Sequence, residues 1–314
     1  MQRTKSQTET KQERKVDAAK AKPVSMWGLA WTRFKRNKVA LAGLFIVGYI
    51  VFMALFAGFI APYSPTQPNW IGNQLQSGLP PSWAHPFGTD LDGRDVFSRV
   101  VYGAQDEMII GIGCTVLAVG IAIVVGIVAG YYGKWIDEIL MRITEVFLVL
   151  PFFLILLVLM EILLTKFPGG GFGGLWIIIL IIGGLSWPSN ARIIRGEVLS
   201  LREFDYIQAE KCLGASSNRI LFRHILPNVL YLCIVLATLS FAGAILTEAG
   251  ISFLGFGDPN SITWGQILTN ATDTILMGQW WTLLFPGFFI TLLVLGFNLL
   301  GNGLRDALDP RLRE

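Results

Sequence analysis

Long apolar runs alternate with short polar segments along the whole chain. Most of these runs approach the roughly 20 residues that a helix needs to cross the apolar core of a bilayer. Backbone groups in lipid find no water to bond, so segments of this kind fold as helices. The pattern predicts an all-α, polytopic membrane protein with six transmembrane helices, at about 39–60, 108–131, 139–164, 175–187, 229–247 and 281–303.

The composition and the placement of charge agree with this class. Of the 314 residues, 53% are hydrophobic and 15% are charged, whereas soluble domains carry about 25% charged residues. An even number of spans puts both termini on one side, and all but three of the 25 Lys and Arg residues fall on that side. Basic residues mark the cytoplasmic side. Both termini are therefore predicted to be cytoplasmic, and the three exceptions, Arg94, Arg99 and Lys166, are predicted to lie outside.

The spans divide the chain into segments with different predicted locations. Aromatic and basic residues in the sequence WGLAWTRFKRNK predict a short helix on the membrane surface at the end of the N-terminal arm. The predicted parts are a cytoplasmic arm (1–38), the first transmembrane helix (39–60), an extracytoplasmic segment (61–107), a transmembrane core (108–303) that contains a cytoplasmic loop (188–228), and a cytoplasmic tail (304–314).

Two kinds of residue inside the spans predict how the helices pack. Ala118, Ala122, Gly126 and Gly130 recur every four residues in the second span. Such a stripe lets helix backbones approach closely, either within the chain or between subunits. Pro151 lies in the third span and Pro286 in the sixth, and proline is expected to kink a helix.

The sequence contains no pattern typical of a catalytic, cofactor or metal site. The phosphate-binding pattern GxxxxGK[ST] does not occur, because Gly133-Lys134 is followed by Trp135. The two histidines, His85 and His224, fall on opposite sides of the predicted membrane. The cysteines form no CxxC pair and are odd in number, which indicates neither a disulfide framework nor a metal site; they are Cys114, Cys212 and Cys233.

The run TDLDGRD at 89–95 superficially resembles a calcium loop, but its glycine is fourth and not sixth. We interpret it as a helix start, with Asp92 as N-cap and Asp95 near the positive end of the helix dipole. This interpretation predicts an amphipathic helix at about 93–104.

Carboxylates inside spans are functional hypotheses by default. Glu145 follows Arg142 by three residues, so an ion pair on one helix face explains it. Glu161 and Glu248 lie near the outer helix ends. Each is a candidate for a polar translocation path, and interfacial solvation explains each equally well.

The polar, basic stretch YIQAEKCLGASSNRILFRHILP at 206–227 interrupts the apolar pattern. Asp205 and Gln208 are spaced as a capping pair for a helix that runs to Leu213. Gly214 is expected to end that helix, and Ser216 or Ser217 to cap a second one that runs to His224. The apolar side chains of this hairpin need a partner, either another protein or the chain's own helices; they are Tyr206, Ile207, Ala209, Leu213 and Ile220.

The stretch QAEKCLGASSNRILFRHILP resembles the EAA motif of permease subunits of binding-protein-dependent ABC importers. Gln208-Ala209-Glu210 falls on the triplet, Gly214 on its glycine and Leu226-Pro227 on its end. The chain departs from the motif at Gln208 and Glu210, and His224 occupies an isoleucine position. A second stretch, HPFGTDLDGRDVFSRVVYGA at 85–104, resembles the element after the first span in the second (C-type) transmembrane subunit of the dipeptide/oligopeptide class.

The resemblance implies a type I importer permease in a bacterial or archaeal cell membrane. It implies that the chain itself is not an enzyme and binds no cofactor, and that two cytoplasmic subunits bind ATP and Mg²⁺. A homologous permease would complete the pathway, and an extracytoplasmic binding protein would deliver the substrate. The residues implied in coupling to the ATPases are Tyr206, Gln208, Ala209, Glu210, Leu213, Gly214, Ala215, Ser216 and Arg219.

The same resemblance suggests di- or oligopeptides as substrate, although the spans themselves identify no ligand. Import of nickel, glutathione or another small solute by the same mechanism is the alternative. A self-contained secondary transporter is a further alternative, which paired buried charges at mid-membrane or inverted repeats with broken helices would favour, and the sequence shows neither. The segment 61–107 is expected either to contact the binding protein or to plug the outer mouth.

Overall fold

The computed structural model describes residues 26–71, 74–166 and 173–308, most of which are helical. The predicted arm before Met26 and the end of the tail (309–314) lie outside the described residues. Two short antiparallel strands, β1 (Trp70–Ile71) and β2 (Gln74–Leu75), form the only sheet in the described ranges. The helices, in chain order, are α1 (Met26–Arg36), α2 (Lys38–Leu55), α3 (Ala57–Ile60), α4 (Val96–Tyr132), α5 (Lys134–Val149), α6 (Phe152–Lys166), α7 (Gly174–Arg202), α8 (Asp205–Cys212), α9 (Ser217–Ile220), α10 (Leu226–Ile251), α11 (Trp264–Ile275) and α12 (Trp281–Leu308), with π-helical segments at Leu221–Ile225 and Ser252–Phe256.

The predicted all-α membrane fold is confirmed. By length and composition, five helical stretches of the described chain can cross a membrane: α2, α4, α7, the continuous stretch Ser217–Phe256, and α12. The third predicted span, 139–164, corresponds to the pair α5 and α6, which is bent by 82°. The bend falls at Leu150-Pro151, since proline cannot continue the hydrogen-bond ladder of α5. Pro286, by contrast, lies within the uninterrupted helix α12.

The second span begins well before the predicted residue 108. Asp95, and not Asp92, is the N-cap: its side chain accepts the backbone N–H of Ser98 at 2.7 Å. The predicted helix at 93–104 and the end of the predicted segment 61–107 are therefore the first three turns of α4. The hydrophobic pattern missed them because these turns carry polar side chains, among them Asp106 and Glu107.

The predicted loop at 188–228 is also largely helical. The fourth span was predicted to end at 187, but α7 continues to Arg202. Pro188 lies inside α7, and the polar turns beyond it are held by partners on other helices; Arg195, for example, forms an ion pair with Asp137 of α5. At the other end of this region, helical structure runs without a loop from Ser217 into α10.

Helix α4 packs along α7 through the predicted small-residue stripe. A side chain at Gly126 would lie 2.8 Å from atoms of Ile194, and one at Gly130 would lie 2.8 Å from Val198. Ala118 and Ala122 are buried as well. Of the two alternatives for this stripe, the structure shows packing within the chain.

Residues 61–71 and 74–95, the outer segment, are tied to α4 and α12. The ring of Phe87 stacks on Phe285 of α12 at 3.8 Å between centroids, and Trp281 donates its Nε1–H to the carbonyl of Thr89 at 3.0 Å. Asp95 pairs through its second oxygen with His85 at 2.9 Å, and both side chains are buried. The outer segment is therefore a packed part of the fold.

Near the N-terminus, the short helix α1 packs against the last helix, α12. Phe34 is buried with Ala40 and Ala307, and Asn37 between α1 and α2 accepts the backbone N–H groups of Val39 and Ala40. The helix expected at the end of the N-terminal arm is thus present, and it is fixed to the last helix.

Candidate functional site

The foot, defined as residues 205–225, consists of α8, a turn at Gly214, α9 and the first π-helical segment. Its root is apolar. Ile207 and Ile220 are almost fully buried and belong to a cluster with residues of α4, α7 and α10, including Ile127, Val198 and Val229. This burial fixes the foot against the long helices α4, α7 and α10.

The turn of the foot requires glycine at position 214. Gly214 has φ +80°, a left-handed conformation that side chains disfavour. The N–H of Gly214 donates to the carbonyl of Lys211 at 3.0 Å, and the N–H of Ala215 donates to that of Glu210 at 3.0 Å. These two bonds form a Schellman motif, which ends α8 as the sequence predicts. Ser216 caps α9 by accepting the N–H of Arg219 at 3.4 Å.

Polar contacts fix the start of the foot, although not as the predicted capping pair. The N-cap of α8 is Phe204, which makes no side-chain cap bond. Gln208 donates its amide N–H to the carbonyl of Arg202 at 2.8 Å. Arg202 in turn donates to the carbonyl of Gly130, near the end of α4, at 3.0 Å. The capping prediction for Asp205 and Gln208 was wrong because Gln208 bonds to the last turn of the preceding helix.

The far side of the foot presents apolar side chains to the surroundings. Leu213 is 85% exposed, Tyr206 is 44% exposed, and Ala209 is exposed beside them. The apolar side of the hairpin is therefore divided: Ile207 and Ile220 pack within the chain, while these three side chains face outward. Because Tyr206, Ala209 and Leu213 are spaced three and four residues apart, they share one face of α8, and a contiguous exposed apolar patch is typical of a surface that another protein covers.

The chamber, a cavity of about 400 Å³, lies between α4, the α5–α6 break, α7 and α10. Phe147, Leu150 and Phe152 of the break contribute to its wall. Irregular backbone at membrane depth is tolerated where it lines a cavity, which is the situation at Leu150-Pro151. No described residue of the outer segment lines the chamber.

Polar side chains of α7 and α10 meet in the chamber wall. Asn190 donates its amide N–H to the hydroxyl oxygen of Ser240 at 2.8 Å, which joins the two helices. Ser186, Ser189 and Thr247 also line the chamber. The sequence analysis singled out none of these residues, since each is an ordinary polar residue until the fold brings α7 and α10 together.

The two carboxylates suggested for a polar path lie in different surroundings. Glu161 is exposed on α6 and accepts a hydrogen bond from Thr165 at 3.5 Å. Glu248 is 1% exposed and accepts the hydroxyl of Ser252 at 2.7 Å. Neither residue lines the chamber, and a role for either in translocation stays a prediction. Glu145 pairs with Arg142 as expected, at 3.3 Å.

The sequence analysis missed two carboxylates at the outer end of α4. Glu107 is fully buried and accepts the backbone N–H of Trp264 at 2.9 Å, while Asp106 accepts that of Ile262 at 2.8 Å. The sequence signal that could have identified them is a pair of adjacent acidic residues at the edge of an apolar run. Their geometry indicates a structural role, because they hold the loop that leads into α11.

The described residues contain no group of three or more His, Cys, Asp or Glu side chains that could hold a metal ion. Together, the helical bundle, the polar chamber and the outward-facing foot define the class of the protein: a multi-pass membrane protein with a polar chamber between its helices and exposed apolar side chains on its foot.

Comparison with known proteins gives the family. Residues 122–314 match the family described as binding-protein-dependent transport system inner membrane component, and residues 25–81 match the N-terminal TM domain of oligopeptide transport permease C. The chain belongs to the first of these families, and it is a permease subunit of a binding-protein-dependent ABC importer in the cell membrane.

Similar proteins carry names of the same kind. The chain is 40% identical over 302 residues to the dipeptide transport system permease protein DppC of Bacillus subtilis, covering 96% of this chain and 91% of that protein. It is 41% identical over 294 residues to DppC of Alkalihalophilus pseudofirmus, and 39% identical over 294 residues to the oligopeptide transport system permease protein OppC of Bacillus subtilis; both matches cover 93% of this chain and 92% of the relative.

The family resemblance seen in the sequence is thereby confirmed. Inverted repeats with broken helices were the expected sign of a secondary transporter; α5–α6 is a broken helix, and the chain is an ABC permease. A broken helix in this protein consequently marks the chamber and does not identify the transport mechanism.

Proposed function

We propose that this chain imports di- or oligopeptides as one of two related permeases and receives its driving force through the foot. Two cytoplasmic subunits bind ATP and Mg²⁺, an extracytoplasmic binding protein delivers the peptide, and this chain catalyses no reaction itself. The names of the dipeptide and oligopeptide permeases to which it is similar support this proposal. The EAA-like residues at 206–227 would contact the ATPase.

The exposed Leu213 at the end of a rigid foot is the observation that carries the proposed coupling. Its neighbours Tyr206, Ala209 and Ser216 are exposed with it, and Gly214 fixes the turn that presents them. Because Ile207 and Ile220 bury the root of the foot against α4, α7 and α10, a push on the foot would move these helices as a body. ATP can favour one state of the permease only through contacts that differ between states.

Substitution Leu213→Asp tests this coupling. Charge on an apolar contact surface should release the ATPase subunits, so we expect at least a 10-fold loss of ATPase co-purified with the tagged permease. Leu276→Asp is the matched control, since Leu276 is 91% exposed at the end of α11, far from the foot in sequence. If Leu213→Asp retains the ATPase as well as Leu276→Asp does, the foot is not the docking surface.

Import of nickel, glutathione or another small solute remains the second candidate and would use the same machinery. The neutral chamber favours peptides over a metal cation, because Ni²⁺ requires imidazole, thiolate or carboxylate ligands and the chamber lining of this chain offers only Cys114 among them. Stimulation of ATP hydrolysis by binding protein loaded with peptide, compared with nickel or glutathione, would separate the candidates.

A further inference from the structure

The chamber is lined without charge. Among the described residues, its polar wall consists of hydroxyl and amide side chains, and it contains no Asp, Glu, Lys, Arg or His. On the same helices, Arg192 and Glu145 lie 3.9 Å apart as an ion pair outside the chamber, and Glu248 accepts the hydroxyl of Ser252, also outside it. A charged substrate side chain therefore meets no opposite charge on the part of the chamber that this chain lines. A neutral hydrogen-bonding group, by contrast, meets hydroxyl and amide partners there.

The polar groups of the wall are mainly free as acceptors. The hydroxyls of Ser186 and Thr247 donate their protons to the carbonyls of Ile182 and Gly243, at 2.6 and 2.8 Å. Their lone pairs remain available. Asn190 uses its N–H on Ser240, and its Oδ1 has no partner among the described residues. The wall therefore offers more unbonded acceptor positions than donors, and its unbonded donors are the hydroxyls of Ser189 and Ser240 and the second amide N–H of Asn190.

The backbone adds to this excess of acceptors. Pro188 lies in the chamber wall inside α7 and has no N–H, so the carbonyl of Gly184, four residues earlier, loses its usual partner. The space beside Gly184 is open. Pro151 likewise supplies no N–H to the carbonyl of Phe147, a residue that lines the chamber.

A peptide bond supplies a donor for such acceptors. Every residue of a peptide except proline carries one backbone N–H donor, whatever its side chain. Leaving that donor unbonded in a cavity costs about 1–3 kcal/mol, so an acceptor placed in the pathway eases the passage of all peptides alike.

We propose that Oδ1 of Asn190, oriented by the hydrogen bond to Ser240, accepts main-chain N–H groups of the peptide in transit. This half of the pathway then recognises peptide bonds and is indifferent to side-chain charge. The proposal rests on the proposed function, since it takes the cargo to be a peptide.

The test uses the complete complex in proteoliposomes with saturating peptide-loaded binding protein. The probes are a neutral tripeptide and the same tripeptide N-methylated at its central peptide bond, at equal loading of the binding protein. We expect the wild type to transport the unmethylated peptide about 3- to 10-fold faster, the factor that one hydrogen bond of about 0.5–1.5 kcal/mol supplies. In Asn190→Ala, that ratio should fall to about 1 because the acceptor is absent.

A structural defect gives a different result. Loss of the link between α7 and α10 would slow both peptides and leave their ratio unchanged. Asn298→Ala is the matched control, because Asn298 is half-buried on α12 and donates to the carbonyl of Val294 at 2.9 Å; its ratio should equal that of the wild type. An unchanged ratio in Asn190→Ala overturns the proposal.

A second variant tests the indifference to charge. Tripeptides with Glu, Lys or Ala at the centre should be transported by the wild type at rates within about twofold of each other, and Asn190→Asp should slow the Glu peptide selectively by electrostatic repulsion. Wild-type rates that differ more than 10-fold with charge at equal loading overturn the proposal. A complex that imports no peptide at all overturns the proposed function too, whereas peptide import with an unchanged methylation ratio overturns the present proposal alone.

Discussion

The outer segment and the foot are both polar stretches between apolar helices, but the fold holds them in opposite ways. Buried charges fix the outer segment: Asp95 is fully buried against His85, and Asp90 binds the almost fully buried Arg99 at 2.6 Å. The foot is rooted by two buried isoleucines and leaves Leu213 exposed. The difference teaches that the first region is packed within the chain, while the second leaves apolar side chains exposed, as the proposed docking of another protein requires.

Of the changes that test this comparison, substitution of Asp95 should have the largest effect, and that effect should be on the stability of the fold. Asp95→Ala deletes the N-cap of α4 and leaves His85 and Ser98 without their partner, which should lower the free energy of unfolding by about 3–5 kcal/mol. Thermal unfolding of the purified permease in detergent measures the effect. Asp92→Ala is the control, since that side chain is 65% exposed and should change stability by less than about 0.5 kcal/mol. Equal stability of the two variants would contradict the assignment of Asp95.

A change at Gly214 should disable the foot with a smaller effect on folding. Gly214→Pro cannot adopt φ +80° and removes the N–H that donates to Lys211. We expect membrane insertion to be retained and peptide uptake to fall by at least 10-fold, because the turn no longer presents Leu213.

Asparagine tolerates the left-handed conformation, so Gly214→Asn should keep most of the uptake and serves as the control for Gly214→Pro. Normal peptide-stimulated ATPase activity in a reconstituted Gly214→Pro complex would show that the turn geometry does not matter.

The smallest effect is expected at the triplet of the EAA-like motif. Glu210 lies 3.6 Å from His224, and both side chains are partly exposed. Such a pair contributes about 0–1 kcal/mol, so Glu210→Ala should change uptake by less than about twofold in the same transport assay. A loss as large as that of Gly214→Pro would mean that Glu210 itself contacts the ATPase.

The positions of the membrane helices could be predicted from hydrophobicity, but their lengths could not. Hydropathy ends where charged residues begin, whereas the helices continue wherever those residues find partners. Glu107 is bonded to Trp264, 157 residues away, and Arg195 to Asp137, 58 residues away. The residues next to Glu107 and Arg195 in the sequence do not indicate either contact.

The foot depends on contacts between residues close in sequence, whereas the chamber depends on contacts between residues far apart in sequence. Gly214 and Ser216 act through neighbours within five residues, so their roles were visible in the sequence. Asn190 and Ser240 lie 50 residues apart and acquire meaning only when α7 and α10 pack together. The capping prediction at Asp205 failed for a related reason, since the carbonyl of Arg202 competes for Gln208.

The helical stretch Ser217–Phe256, which leaves helical geometry at Gly255 with φ +88°, places the foot at one end of a long helix. Its 40 residues span about 60 Å at 1.5 Å per residue, about twice the thickness of a bilayer core. A tilt of about 5° around its midpoint would displace each end by about 2.6 Å at that rise per residue. The π-helical segments lie at its two ends, Leu221–Ile225 beside the foot and Ser252–Phe256 beside the loop into α11. Under the proposed function, a tilt of this helix moves the foot and the loop into α11 in opposite directions.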